Sequence, residues 1–177
     1  VGTAHSHMKA AIDTVVEHSL NLADIKDIRL HVGDYHDLMC QPLAERRAPA
    51  TLADAKFSLP FLVAIAIVRR GMNISDFTEV GLRDEDVLST ARKISLVSDA
   101  SLDWKLDLPP GRVEIHAIDG RSWTNEGHNV PGNADNPMTW SDVCRKFSEC
   151  ASVAANPVSD SAIKATVALA ENLENLT

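Results

Sequence analysis

The segment of residues 54–71, DAKFSLPFLVAIAIVRRG, constrains the fold of this chain more than any other stretch. Ser58 is suited to cap a helix, and Pro60 falls in its first turn, where a missing N–H costs no hydrogen bond. Residues 61–70 are apolar on nearly every side until two arginines close the run, which predicts a buried helix. The arginines suit the C-terminal end of that helix, and Gly71 suits the position after it.

The charge of the chain limits its partners. It has 177 residues, with 17 Lys and Arg against 25 Asp and Glu, for a net charge of −8. Nucleic acids and anionic membranes attract cationic surfaces, so neither is an expected partner. The longest apolar run, about residues 59–68, is far shorter than the roughly 20 residues that span a bilayer.

The cysteines and histidines do not form a metal or disulfide pattern. Cys40, Cys144 and Cys150 are odd in number and widely spaced, which predicts neither a disulfide framework nor a zinc ribbon. The His5-x-His7 pair lacks further ligands at metal-site spacing. We therefore predict a cytoplasmic protein with no metal and no cofactor.

The remaining patterns place the elements in the order helix, strand, helices, three strands, two helices. The first half has a predicted helix at 8–20, a strand at 28–32, a polar loop at 34–50 with a short helix at 35–40, and a helix from about 84 to 92. A strand at 94–97 and a hairpin at 112–124, which turns at Asp119-Gly120, follow. After a linker at 127–138 come a helix capped by Thr139 with Asp142, a break at Asn156-Pro157, and a helix capped by Ser159. Because the hairpin is local and strands do not alternate with helices, an α+β fold is predicted, with an antiparallel sheet covered by helices and followed by two C-terminal helices.

Three segments resemble the MmgE/PrpD (2-methylcitrate dehydratase-like) family. Residues 54–68 are similar to its AKFSLPY segment, and residues 131–139, PGNADNPMT, followed by Arg145-Lys146-Phe147, are similar to its NPMS…KF segment. Residues 5–13, HSHMKAAID, resemble the helix that opens the family's smaller domain. The three segments occur in the family's order and together span nearly the whole chain.

The resemblance implies a domain organisation and a class of reaction. Residues 1–130 would be the family's small α+β domain, and residues 139–177 would be helices that rejoin a large helical domain absent here. Family members dehydrate 2-methylcitrate, decarboxylate cis-aconitate or epimerise iminodisuccinate, without an iron–sulfur cluster and usually as homodimers. The implied substrate is thus a small polycarboxylate. The chain alone is expected to be inactive, because most acid–base groups belong to the helical domain.

The resemblance also implies candidate site residues. Reactions beside a carboxylate need cations to hold the substrate and a positioned group to move a proton. His7 occupies the position of a family histidine and is the candidate acid–base or orienting residue, since imidazole titrates near neutrality. The family often has a histidine where this chain has Lys9, so the choice between His7 and Lys9 stays open. Lys56 and Lys9 are the candidate carboxylate contacts. The alternative for Lys56 is a surface lysine that neutralises Asp54.

Other residues favour structural interpretations. Arg46 and Arg47 could clamp a carboxylate, but a solvated pair is the preferred interpretation. Core or domain-interface positions are expected for the three tryptophans, Trp104, Trp123 and Trp140. The alternative function is a non-catalytic α+β domain that binds a partner or forms oligomers, because the apolar helices of 139–177 lack their usual packing partner.

Overall fold

The structure is a computed structural model that describes residues 1–156 and 158–175. It forms two compact units, Val1–Val130 and Pro131–Thr177. The break expected at Asn156-Pro157 involves Pro157, which lies outside the described residues.

The first unit has the predicted order of helix, strand, helices and three strands. Its helices are α1 (His5–Glu17), α2 (Asp34–Asp37), α3 (Leu43–Arg47), α4 (Leu52–Lys56), α5 (Leu59–Arg69) and α6 (Glu85–Arg92), and its strands are β1 (Ile25–Val32), β2 (Ile94–Ser98), β3 (Gly111–Ala117) and β4 (Ser122–Gly127). The prediction for residues 34–50 was wrong in part: α2 confirms the short helix expected there, whereas α3 was not predicted. Helix α3 is too short to show a clear period of 3.6 residues.

The four strands form one sheet in the order β2-β1-β3-β4. The pairs β1–β3 and β3–β4 are antiparallel, as predicted, whereas β1 and β2 run parallel. The α+β class is thus confirmed for a mostly antiparallel mixed sheet. The parallel pairing of β1 and β2 was not predicted. Helices α2–α6 form the long crossover that connects these two strands. Alternation of polar and apolar residues identifies a strand but does not show in which direction the neighbouring strand runs.

The core lies between one face of the sheet and two helices. Alternate residues of the central strands, including Ile28, Leu30, Val113 and Ile115, point into it and are fully buried. Helices α1 and α5 pack there, and α5 is buried from Leu59 to Ile67, which confirms the predicted buried helix.

Both ends of α5 have defined caps. The hydroxyl of Ser58 accepts the N–H of Phe61 at 3.2 Å, as predicted. At the other end the prediction for Gly71 was wrong, because Arg70 itself adopts the left-handed conformation, with φ of 52°. The Arg70 guanidinium donates to the carbonyl of Leu20 at 3.2 Å, and this distant contact holds a conformation that local preference assigns to glycine.

The tryptophans differ from the core expectation. Only Trp123 packs against the core, where His18 stacks on its ring at 4.9 Å. Trp104 and Trp140 remain 44% and 45% exposed. Trp104 lies against Tyr35, with ring centroids 5.0 Å apart.

The second unit contains two capped helices, α7 (Trp140–Ser152) and α8 (Asp160–Glu171). Thr139 and Asp142 form the predicted capping box, and Ser159 caps α8 as predicted. The indole N–H of Trp140 donates to Glu171 at 2.7 Å and so ties α7 to α8. An apolar groove between them is lined by residues that include Trp140, Val143, Phe147 and Val167.

Candidate functional site

The start of α1 lies unusually close to the sheet because two glycines allow it. Gly111 of β3 and Gly127 of β4 are paired across the strands. A β-carbon on Gly111 would overlap the backbone nitrogen of His7, and one on Gly127 would overlap the carbonyl oxygen of Ser6. The first turn of α1 therefore rests directly on the backbone of the sheet, and this contact places His7.

His7 is enclosed in the core and fixed by the backbone. Its side chain has 0% exposure, and its Nε2 lies 2.9 Å from the carbonyl oxygen of His31 in β1. A carbonyl can only accept, so Nε2 must carry the proton and donate it. Nδ1 of His7 is then a buried lone pair, and it has no hydrogen-bond partner in the structure.

A second buried histidine contacts the first. His36 of α2 is also fully buried, and its Nε2 lies 3.3 Å from the carbonyl oxygen of Thr3. The rings of His7 and His36 meet edge to face with centroids 4.5 Å apart, and Nδ1 of His36 is likewise unpartnered. Burial, reinforced by the neighbouring His36, lowers the pKa of His7 to about 3, and burial also lowers the pKa of His36.

The two candidate lysines lie in different settings. Lys9, one turn after His5 on the outer side of α1, pairs with Asp13 at 2.5 Å. Lys56 ends α4 with an exposed side chain. The Val1 nitrogen lies 3.4 Å from the Lys56 carbonyl, so the two segments are neighbours. In residues 1–156 and 158–175, no hydrogen bond or ion pair joins the side chains of His7, Lys9 and Lys56.

Arg46 and Arg47, at the end of α3, both use their guanidiniums for contacts with backbone carbonyls. The Nε–H of Arg46 donates to the carbonyl of Gln41 at 3.0 Å, and that of Arg47 donates to the carbonyl of Ile94 at 2.9 Å. Both guanidiniums therefore hold backbone segments together. The interpretation of a solvated pair was wrong, and a carboxylate clamp would require breaking these bonds.

The face of the sheet opposite α1 carries a network of ion pairs. Glu114 of β3 lies at its centre, 2.6 Å from His116, 3.5 Å from His31 and 3.6 Å from Arg29. Partial burial raises the pKa of Glu114, but the hydrogen bonds from His116 and His31 outweigh this effect and hold the pKa below its ordinary value. The carboxylate thus balances the charge of the Arg29 guanidinium, which leaves this part of the face little free positive charge for an anionic ligand.

A cavity of about 470 Å³ opens at the carboxyl ends of β1 and β2. Three carboxylates, those of Asp34, Asp37 and Asp103, line it. Two of them are used in local structure: Asp34 accepts the Trp104 N–H at 2.9 Å, and Asp103 accepts the Asp34 N–H at 2.9 Å. Because like charges repel, this cavity does not suit a polycarboxylate.

Two searches of the described residues found no further class of site. No helix in residues 1–156 and 158–175 has both the length and the apolar character needed to cross a membrane. Over the same part of the chain, no group of three or more His, Cys, Asp or Glu side chains is arranged to hold a metal ion. Cys40, Cys144 and Cys150 are free thiols, and burial raises the pKa of Cys40 to about 12.

The model of the MmgE/PrpD C-terminal domain matches residues 2–172. The chain therefore belongs to the MmgE/PrpD family, as the resemblance of its three segments predicted. A search of the curated proteins found no match.

Sequence reasoning identified His7 but missed the residues that hold it. His36 lies in the short helix predicted at 35–40, but no local pattern shows that its ring would meet that of His7. Gly111 precedes the predicted hairpin and Gly127 begins the predicted linker, where glycine is common. The signal that was available is their spacing, because each stands just outside the alternating part of a hairpin strand.

Proposed function

We propose that this chain is the C-terminal domain of a lyase or isomerase that acts on a small polycarboxylate, as in 2-methylcitrate dehydration. The observation that carries the proposal is the match to the MmgE/PrpD C-terminal domain over residues 2–172. In this proposal the helical domain of the family supplies most of the acid–base groups, so the domain alone shows no turnover. Three free thiols are compatible with the reducing cytoplasm, the compartment we propose.

The site residues are assigned from their surroundings. We propose Lys56 as the main carboxylate contact, because its ammonium is exposed and makes no ion pair among the described residues. Lys9 is a second contact that must first exchange its partner Asp13 for substrate. His7 fits the orienting role better than direct proton transfer, because its buried Nε2–H already donates to the backbone.

Citrate, used as a probe for the substrate class, tests these contacts by NMR titration. We expect weak binding that shifts the signals of Lys56 and Lys9, because the net charge of −8 opposes a trianion. Each substitution Lys56→Gln and Lys9→Gln should weaken binding about two- to fivefold, as loss of one exposed cation contact implies. Lys26→Gln is the matched control, since Lys26 is an exposed lysine on β1.

Two results would count against this assignment. If Lys56→Gln weakens citrate binding no more than Lys26→Gln does, Lys56 is not a carboxylate contact. If sodium chloride of equal ionic strength produces the same shifts as citrate, the binding is not specific to a polycarboxylate.

Self-association is a second candidate function, favoured by the apolar side chains that α7 presents. Val143 and Phe147 are 42% and 39% exposed, on the same side of the helix as Trp140. We propose that a second copy of the chain covers them, which would form a homodimer with or without catalysis.

Light scattering tests this candidate through the mass of the protein in solution. The wild type is expected to be a dimer, and Phe147→Gln should shift it toward the monomer because the substitution removes buried apolar area from the interface. Lys146→Gln changes an exposed neighbour on α7 and should leave the dimer intact. A wild type that stays monomeric at all concentrations would exclude self-association.

A further inference from the structure

The buried pair His7–His36 has a chemistry that the proposed function does not use. Both imidazoles direct an Nε2–H to a backbone carbonyl, so both share the same tautomer when neutral, and burial favours the neutral form of each. Both keep an unpartnered Nδ1 lone pair inside the core. Nδ1 is therefore the position where each ring would accept a proton, and each would then become a buried cation.

Among the described residues, only the backbone carbonyls of His31 and Thr3 favour those cations, and no carboxylate neutralises them. His7 faces His31 on β1 and His36 on α2, and His36 faces the ring of Tyr35. The nearby carboxylates of α2 are bonded elsewhere: Asp37 accepts the Gln41 amide at 3.1 Å, and Asp34 accepts backbone N–H groups. In residues 1–156 and 158–175, no carboxylate forms a hydrogen bond or ion pair with either ring.

The pair joins the start of α1 to the end of β1. His7 binds the His31 carbonyl one residue before β1 ends, and His36 binds Thr3 in the turn that precedes α1. The part of α1 that follows residue 9 is held independently by buried Ala10, Ala11 and Val15. The segment 2–9 is anchored by the two imidazoles together with buried Ala4 and Met8, so the imidazoles supply the part of its anchoring that can titrate, while the rest of α1 has its own apolar packing.

We infer that His7 and His36 form an acid-sensitive latch, which holds residues 2–9 against the end of β1 and releases them when the imidazoles are protonated. Release exposes the segment that carries His5 and Lys9. The latch would therefore make the exposure of this segment depend on pH. The latch rests on the contacts of the two rings and does not require the proposed function.

The direction of the pH effect follows from proton linkage. The pKa of His7 is about 3 when closed and has its ordinary value of 6.5 when open and hydrated. Above pH 6.5 both forms are neutral, and the closed form is fully favoured. As the pH falls from 6.5 toward 3, only the open form takes up the proton, so the closed form loses stability throughout that window.

Hydrogen exchange measured residue by residue tests the latch. The amides of residues 9–11 bond to the carbonyls of residues 5–7 and report opening of the first turns of α1. Between pH 6.5 and 4.5 their protection factors should fall at least about 50-fold, because protonation of the open form by His7 alone gives that ratio and His36 adds to it. The central sheet amides at 28–30 and 113–115 should keep most of their protection.

Matched variants separate the latch from general acid sensitivity. Glutamine places a side-chain N–H near the position of Nε2 but does not titrate, so His7→Gln with His36→Gln should abolish the steep fall. His18→Gln removes an exposed histidine at the other end of α1 and should leave the fall unchanged. An equal fall in the double variant, or sheet protection that falls together with that of residues 9–11, would overturn the latch.

A measurement on the wild type covers the case in which the double variant does not fold. Imidazole ¹⁵N NMR reports the tautomer and titration of each ring. The expected result is an Nε2–H tautomer for His7 and His36 at neutral pH, with protonation only as residues 9–11 lose protection. If His7 titrates at its ordinary pKa while that protection is unchanged, the latch does not exist.

Discussion

Replacing Gly127 with alanine is expected to lower the free energy of unfolding by more than about 3 kcal/mol, or to prevent folding. The added β-carbon would overlap the carbonyl oxygen of Ser6 and would lie 3.0 Å from the nitrogen of Ala10. Both neighbours are backbone atoms of α1, so no side chain can rotate to make room. The helix must move away from the sheet and lose its packing on β4.

Urea denaturation, followed by circular dichroism, measures this effect. Gly71→Ala is the matched control, because the nearest atom to its β-carbon is the Arg69 carbonyl oxygen at 4.0 Å. The control should change stability by less than about 1 kcal/mol. If Gly127→Ala is as stable as Gly71→Ala, the close approach of α1 to the sheet is not correct.

Replacing Phe61 with alanine is expected to cost about 3–5 kcal/mol of stability. Phe61 has 0% exposure and lies in the first turn of α5, the helix that is buried throughout. Truncation removes the apolar contacts of the ring and leaves a cavity that a helix packed by α1, α3 and α6 cannot easily close.

Phe57 supplies a control with the same chemistry four residues earlier. It is 56% exposed, so Phe57→Ala should cost less than about 1 kcal/mol. The comparison separates burial from the general effect of removing a phenyl ring. Equal losses in the two variants, measured by the same urea titrations, would show that α5 is not the centre of the core.

Much of the fold could be predicted from the sequence because its signals are local. The apolar run of α5, the cap at Ser58 and the capping box at Thr139 each depend on residues within a few positions of one another. The family was also predictable, since its three segments are contiguous. The polar alternation around His31 and Glu114 likewise predicted which strand residues face away from the core.

The candidate site was predicted only in part. His7 and Lys9 were found from the sequence, but the burial of His7 was not, because a histidine just before a predicted helix usually lies at the surface. The expectation that Gly71 would end α5 was wrong, because Arg70 adopts the left-handed conformation there. The Arg70 guanidinium bonds to the distant carbonyl of Leu20, a contact that no local pattern reveals. Roles for His7, Lys9 and Lys56 stay predictions, since side-chain position alone does not establish substrate contact.

The sequence by itself determined the order of the main elements, the buried helix and the N-terminal caps at Ser58, Thr139 and Ser159, because short-range sterics and hydrogen bonds specify them. Its three similar segments determined the family. Only the tertiary structure decided that β2 runs parallel to β1, that Gly111 and Gly127 admit α1, and that His7 meets His36. Each of these features joins residues far apart in the chain. Their contacts arise from how the whole core packs, and no local pattern of residues encodes them.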